Sequence, residues 1–317
     1  MTQQVSRLSR LIHTGQVIVD LVMQVDGLPE AGGDVLASSA NFEVGGGFNV
    51  MAAARRSGMQ VVYPGGHGRG RFGDMARAAL AHEGVEIAGP PVEDKDTGIC
   101  VAIVDASAER TFVSHLGAEV HLERQVLDGL HVTALDIVYV SGYSLFNAEK
   151  RAVLLDWLDT LPADVRIAFD PGPLVGSIDE AVLSALIPKV SIWTSNRREA
   201  LQYTGSESIA QAQQVLASRL RAADALAVVR DGAQGCHVAS AGRSVQVPGF
   251  AVESIDSNGA GDAHAGVFLA SLASGQEAAS AARRANAAAA IAVTRRGPAT
   301  APSAAQIDEL LARNAAK

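Results

Sequence analysis

The hydrophobic positions of this chain change period along its length, and those changes mark its organisation. The Leu11 to Val25 segment contains a buried strand, with Asp20 near its end. After Leu28-Pro29-Glu30-Ala31-Gly32-Gly33, the piece from Asp34 to Val44 suits a small peripheral sheet. Helical spacing runs from Asn49 to Arg56 and stops at Gly58. Val61-Val62-Tyr63 reads as the next strand and Phe72 to His82 as the next helix. Ile99 to Val104 and Thr111 to Val113 form a hairpin pattern, with Asp105-Ala106-Ser107-Ala108 in its turn. Two excursions, at about residues 28–45 and 97–118, therefore build one small β-sheet lid on a single domain spanning residues 1–317.

From about residue 130 the alternation becomes regular. Strand patterns at Ile137 to Val140, Val165 to Phe169, Ile192 to Thr194 and Ala225 to Arg230 alternate with helical ones. The helical patterns are Asn147 to Leu161, Ile178 to Leu186, a short helix from near Asn196, and Ser208 to Leu220. Ser208 with Gln211 is a capping-box pair. Such βα spacing predicts an α/β fold with a mainly parallel sheet. Beyond it, Cys236 to Ala239 and Ser244 to Val247 suit an antiparallel pair, and three Ala-rich helices follow, the last capped by Ser303 with Gln306.

Composition narrows the function. At 48% hydrophobic residues the chain can bury a substantial core, and at 4% aromatic it offers few stacking surfaces. A net charge of -8 argues against nucleic acid as the main partner, although local backbone amides can hold a small phosphorylated ligand in an acidic protein. Cys100 and Cys236 lie far apart and fit no metal spacing, so they read as two reduced core thiols. Arg7 and Arg10 are followed by no signal-type apolar region, and no uncharged stretch has the length of a membrane span. A cytoplasmic location without membrane partners is the expectation.

Gly68-Arg69-Gly70-Arg71-Phe72-Gly73 spells a dinucleotide fingerprint, with Glu93 twenty residues past Gly73. The strand before it is only three residues long, and Glu93 ends no second strand, so the segment reads as a tight turn opening a helix. Neither a GxxxxGK[ST] loop nor the protein-kinase motif set is present. Asp256-Ser257-Asn258-Gly259-Ala260-Gly261-Asp262 is more informative. Its glycines permit close backbone approach, it leads into an apolar helix, and free amides at that helix start suit an anion. A carboxylate beside such a site repels phosphate unless chemistry requires it. Phosphoryl transfer does, because the acceptor hydroxyl needs a group to orient it and take its proton. Asp262 is that base, or else a first-turn acid that stabilises the helix.

This segment resembles the C-terminal signature of the PfkB, or ribokinase-like, carbohydrate kinase family, and Gly45-Gly46-Gly47-Phe48-Asn49 resembles its N-terminal signature, followed by Gly58 and Gly68. His264 stands where that family often has Phe, and Met51 is larger than the residue usual there. The likeness spans nearly the whole chain and implies a three-layer α/β/α sandwich with a small lid. It implies Asp262 as catalytic base with the Gly259, Ala260 and Gly261 amides as anion hole. Asp20, Gly46, Gly47 and Asn49 would face a small sugar-like substrate, Asn49 alternatively being a helix N-cap. His115 is a further candidate contact. Asn196-Arg197-Arg198-Glu199 matches the family's NxxE pattern, implying that Glu199 positions magnesium through water and that Asn196 lies near the phosphates of ATP. Gly232, Gly235 and Asn286 would border the nucleotide, and Asp256 could join a monovalent-cation site, with potassium as activator. Asp170-Pro171-Gly172-Pro173 replaces the Asp-x-Asn-x-Arg segment of many relatives. A nucleoside kinase with walls such as Phe48, Phe72 and Tyr143, and a nonenzymatic sugar or nucleotide sensor, are the competing functions. The lid's open faces could also pair two copies into a homodimer.

Overall fold

The computed structural model describes residues 9–107 and 109–315; Arg7 and the turn residue Ala108 lie outside the described residues. Thirteen strands are described: β1 (Arg10–His13), β2 (Val17–Gln24), β3 (Ser39–Gly46), β4 (Gln60–Tyr63), β5 (Glu86–Ile87), β6 (Ile99–Val104), β7 (Arg110–His115), β8 (Ile137–Ser141), β9 (Arg166–Asp170), β10 (Ile192–Asn196), β11 (Leu226–Arg230), β12 (Cys236–Ser240) and β13 (Arg243–Val247). Nine of them form one sheet in the order β13-β12-β11-β10-β9-β8-β1-β4-β5. Its pairings are parallel from β11 to β5, whereas β12 and β13 join antiparallel.

Successive residues on the central strands point into two different cores. Leu11, Val61, Ile137 and Val228 pack on one side with the Gly47–Arg56, Ala260–Ala273 and Ala278–Ala292 helices. Ile12, Val62, Val138 and Ala227 pack on the other with the Ala148–Leu158 and Ile209–Arg219 helices. Parallel strands covered on both faces have no solvent side, so their sequences run apolar without alternation. The result is the three-layer sandwich.

The run from Leu11 to Val25 is two strands rather than one. β1 ends at His13 in the large sheet, and the chain crosses through Thr14-Gly15-Gln16 into β2 of a second sheet, ordered β3-β2-β6-β7. Asp20 therefore sits mid-strand in the lid, opposite Glu43 and Cys100. The crossing falls at Thr14-Gly15-Gln16, a short polar break that marks a turn but does not show that the chain changes sheets there. The lid's β7 turns Phe112 and Val113 to solvent. β5 is an edge strand of two residues, too short for any periodicity to reveal.

A buried lysine holds the crossing in place. Lys150 Nζ donates to the carbonyl oxygens of Gly15, 2.9 Å, and Glu119, 3.0 Å. The Glu119 carboxylate in turn accepts from Gly98 N at 2.6 Å and Gly117 N at 2.8 Å, at the base of the β6–β7 hairpin. Burial pushes the Lys150 ammonium down to about 7, with Glu119 opposing the shift.

The GxGxxG segment does open a helix, Arg71–His82, but Asp96 occupies its start. Asp96 accepts from Phe72 N at 3.1 Å and Gly73 N at 2.7 Å, so a carboxylate lies where a dinucleotide would present its phosphates. Glu93 pairs with Arg69 at the surface. Cys100 and Cys236 are both buried and free. Among the described residues no helix is long and apolar enough to cross a membrane. Replacing Asp96 with Ala strips two helix-start bonds and should lower unfolding free energy by about 1–2 kcal/mol. Urea titration reads this as an earlier midpoint, and an unmoved midpoint would argue that solvent caps the helix equally well.

Candidate active site

Three neighbouring parallel strands end in polar residues: Asp170 closes β9, Asn196 closes β10 and Arg230 closes β11. Their register sets Asn196 directly beside Arg230. Carboxyl ends of parallel strands open onto the crevice where ligands bind in such sheets. Here they form the floor of a cleft of about 1270 Å³ that runs from the lid to the β12–β13 hairpin.

Arg230 ties the floor together. Its guanidinium donates to Asp170 Oδ2 at 3.1 and 3.2 Å and to Thr194 Oγ1 at 2.7 Å, and stands 3.8 Å from Glu199 Oε2. Burial opposes its charge, yet Asp170 and Glu199 hold its pKa above the ordinary arginine value. Burial also raises the Glu199 carboxyl, as does Asp170, while Arg230 lowers it. Asn196 and Glu199 form a reciprocal capping box on the Arg197–Thr204 helix: Asn196 Oδ1 accepts from Glu199 N at 2.9 Å, and Glu199 Oε2 accepts from Asn196 N at 2.8 Å. Arg197 is exposed, 3.6 Å from Asp231.

The Ala260–Ala273 helix begins inside the cleft with no side chain capping it. Gly259 has φ 71°, and a Cβ there would lie 1.7 Å from the Pro298 carbonyl oxygen, so only glycine fits. Gly259, Ala260, Gly261 and Asp262 all line the cleft, and a Cβ on Gly261 would lie 3.5 Å from the Arg230 guanidinium. Asp262 does not cap the helix; its Oδ2 accepts from Asn49 Nδ2 at 2.9 Å. Burial raises the Asp262 carboxyl to about 6, the Asn49 bond lowers it, Asp170 raises it and Arg230 lowers it.

Asn49 is not the N-cap of its helix either. That helix starts at Gly47 behind Gly46, whose φ is 65°, and Asn49 lies buried within it. Gly46 and Gly47 line the lid end of the cleft together with His13, Gln16, Ile18 and Tyr143. His13 packs over Gly47, where a Cβ would come within 2.2 Å of its ring, and stacks on Tyr139. Its Nδ1 accepts from Gly15 N, and burial pulls its pKa down to about 3, so it is a neutral imidazole. Asp20 lies beside Gly45 in the lid, with its carboxyl raised to about 6 by burial and by Glu43. His115 ends β7 on an exposed face and does not reach the cleft.

At the opposite end, Gly232, Gly235 and Asn286 line the cleft as the sequence suggests. Asn286 Nδ2 donates to the carbonyl oxygens of Val247, 2.9 Å, and Pro248, 3.1 Å, and so fixes the wall rather than pointing freely into the space. Asp256 sits one turn before the helix; its carboxylate accepts from Arg110, from Asn258 N at 2.9 Å and from Gly297 N at 3.1 Å.

These donors decide which ions fit. Glu199, Asp170 and Asp262 concentrate negative charge at the floor, and both Glu199 oxygens already accept from Asn196. No group of three metal-binding side chains occurs among the described residues. Magnesium held mainly by phosphate and water, with Glu199 reaching it through water, fits that donor set. A monovalent cation at Asp256 does not, since a guanidinium is already seated on that carboxylate.

Sequence reading missed Arg230, His13 and the Lys150–Glu119 pair. A charged residue closing β11 immediately before Asp231-Gly232 was the available signal for Arg230. Asp262→Asn keeps an oxygen for Asn49 but removes a carboxylate whose folded pKa is raised from 3.8 to about 6. Wild-type stability relative to this variant should fall as pH rises from 4 through 6. The variant's advantage should be near zero at pH 4 and grow to at most about 3 kcal/mol by pH 7. Parallel thermal melts of the ligand-free proteins across this range measure it, and a pH-independent difference would contradict the raised pKa.

The PfkB family carbohydrate kinase profile matches residues 9–305. The chain is 32% identical over 293 residues to the uncharacterized sugar kinase YegV of Escherichia coli strain K12, covering 91% of this chain and 90% of that protein. It is 28% identical over 307 residues to the ATP-dependent ribose-1-phosphate kinase of Halopiger xanaduensis, covering 93% and 95%. In three dimensions it resembles ribokinase from Giardia lamblia with a TM-score of 0.84 at 22% identity, over 98% of this chain and 100% of that one. A putative ribokinase II from E. coli in complex with ATP and Mg2+ superimposes with a TM-score of 0.81 at 23% identity, over 96% and 100%. With that match running almost from end to end, the chain belongs to the PfkB family of carbohydrate kinases.

Proposed function

We propose that this protein transfers the γ-phosphoryl group of ATP to a hydroxyl, a primary one, of a small sugar or sugar-like acceptor. The observation that carries this reading is the raised Asp262 carboxylate, held by Asn49 at the start of an uncapped helix inside the cleft. Asn49 engages Oδ2 and leaves the other oxygen to accept from the substrate hydroxyl. A base with a pKa near 6 is ionised at neutral pH yet still takes a proton readily. The Gly259–Asp262 amides and Arg230 face the charge that develops on the transferring phosphoryl. Magnesium, when bound, would sit near Glu199, reached through water, and would offset the charge of the donor phosphates.

On the acceptor side Gly46 and Gly47 line the cleft with His13 and Gln16, whereas Asp20 and Asn49 stand behind that lining, Asp20 beside Gly45 and Asn49 on Asp262. Gly232, Gly235 and Asn286 border the nucleotide. A sugar fits the walls better than a nucleoside. Phe48 is consumed by the core and Phe72 packs on Phe42, so of the three aromatic candidates only Tyr143 lines the cleft. The similar proteins include ribokinases, a probable fructokinase and an adenosine kinase. A homodimer through the lid would cover Phe112 and Val113.

Asp262→Asn should lower turnover by about 10²–10⁴-fold while ATP and acceptor still bind. The wild-type kcat/KM should rise with pH through about 6, and Asp20→Asn should keep that limb if Asp262 is its source. The acceptor is found by following ATP consumption against ribose, fructose, their phosphates and nucleosides, with the product weighed by mass spectrometry. Absence of a phosphorylated product from every class would favour a ligand sensor, and full turnover in Asp262→Asn would sink the base assignment.

A further inference from the structure

We infer that Arg110, carried on the lid, is a tethered cation for Asp256 and orders the loop that feeds the anion hole, so that turnover needs no monovalent cation. The inference rests on the kinase reading but concerns a different residue pair.

Asp256 is the joint of that loop. Its backbone N and that of Ile255 donate to the Val293 carbonyl oxygen at 3.1 and 2.7 Å. Its side chain accepts from Asn258 N on one side and Gly297 N on the other. The carboxylate thus ties residues 255–258 to the segment that follows the Ala278–Ala292 helix. The next residue of that segment, Pro298, supplies the carbonyl that Gly259 packs against. The conformation of the Gly259–Asp262 turn therefore depends on an ionised Asp256.

A partly buried ionised carboxylate is stabilised by a positive partner. Asp256 keeps 14% side-chain exposure and Arg110 25%. Glu43 of the neighbouring lid strand adds a second negative charge: a Cβ on Gly297 would lie 3.3 Å from Glu43 Oε2, an oxygen buried without a hydrogen-bond partner. One guanidinium faces both acids. A guanidinium cannot lose its proton and presents a rigid fork to a carboxylate, which makes it a permanent substitute for a bound ion. Because Arg110 opens β7, this charge arrives with the lid. Loop order and lid position become one event, in which Arg110 is a positioning residue.

The test compares wild type, Arg110→Ala and Arg110→Lys in tetramethylammonium buffer and along a KCl titration at constant ionic strength. Two readouts are followed: turnover with ATP–Mg2+ and the acceptor, and hydrogen exchange of the 255–261 amides in the ligand-free protein. Wild type should be indifferent to potassium in both. Arg110→Ala should lose about tenfold or more in turnover and exchange faster, with potassium restoring part of each, because a charge-assisted bond is lost. Arg110→Lys should recover most of the wild-type behaviour. Potassium activation of the wild type overturns the inference. So does an Arg110→Ala protein with unchanged exchange, or an Arg110→Lys protein no better than Arg110→Ala. If no variant phosphorylates any acceptor, the kinase reading fails, while the exchange arm still decides the role of Arg110.

Discussion

Charge balance around Arg230 is the constraint on which the site depends. Asp170, Glu199 and Asp262 converge on one buried guanidinium, so the floor carries more negative than positive charge. Burial in the cleft is the main cause of the raised carboxyl pKa values at Glu199 and Asp262, and the charge of Asp170 adds to it while Arg230 opposes it. Removing the guanidinium would leave carboxylates buried and unpaired, which is worse than never having built the pair. The parallel sheet makes the arrangement possible. It lines up the ends of β9, β10 and β11, so that residues 60 apart in sequence, Asp170 and Arg230, meet at hydrogen-bond distance. On the proposed kinase reading, that surplus of negative charge calls for a divalent cation alongside the nucleotide, and burial keeps Asp262 ready as a base at neutral pH.

Much of this was legible in the chain because local chemistry dictated it. The βα alternation from Ile137 onward, the Ser208 and Ser303 caps and the β12–β13 pair follow from period and turn residues, which act over a few positions. The Gly259-to-Asp262 motif was likewise visible as a glycine-rich helix start with an acid, and its resemblance to the family signature favoured the base over a helix-stabilising acid. Most element ends moved by one to three residues, as at Ala148–Leu158, where Asn147 is the cap, and the start of β3 moved from Asp34 to Ser39.

What the chain concealed was long-range. The break within residues 11–25 is marked only by Thr14-Gly15-Gln16, and nothing local in that stretch says that the two halves join different sheets. Asn49 is not the N-cap because its helix starts at Gly47, and its actual partner, Asp262, lies 213 positions away. Lys150 resembled any helix lysine, yet it is buried and holds Gly15 and Glu119 across 135 and 31 positions. Pairing of this kind depends on tertiary packing rather than on spacing, so no pattern in one sequence announces it. The rejected GxGxxG shows the converse: a local pattern whose meaning was fixed by Asp96, a distant carboxylate that fills its anion site.

These distant pairs share a direction. Lys150 grips the crossing where the chain enters the lid, Asn49 follows the last lid residue of β3 and holds Asp262, and Arg110 reaches from β7 to Asp256. Three polar side chains on different elements thus connect the acceptor side of the cleft to the base and to the loop of the anion hole. A displacement of the lid loads all three at once, because packed interiors transmit small shifts rather than absorbing them. On the proposed kinase reading, an acceptor under the lid would thereby influence whether Asp262 and the Gly259–Asp262 amides are in place. Water, which brings no surface for the lid to close on, would gain no such assistance, an asymmetry that would protect ATP from hydrolysis when no acceptor is bound.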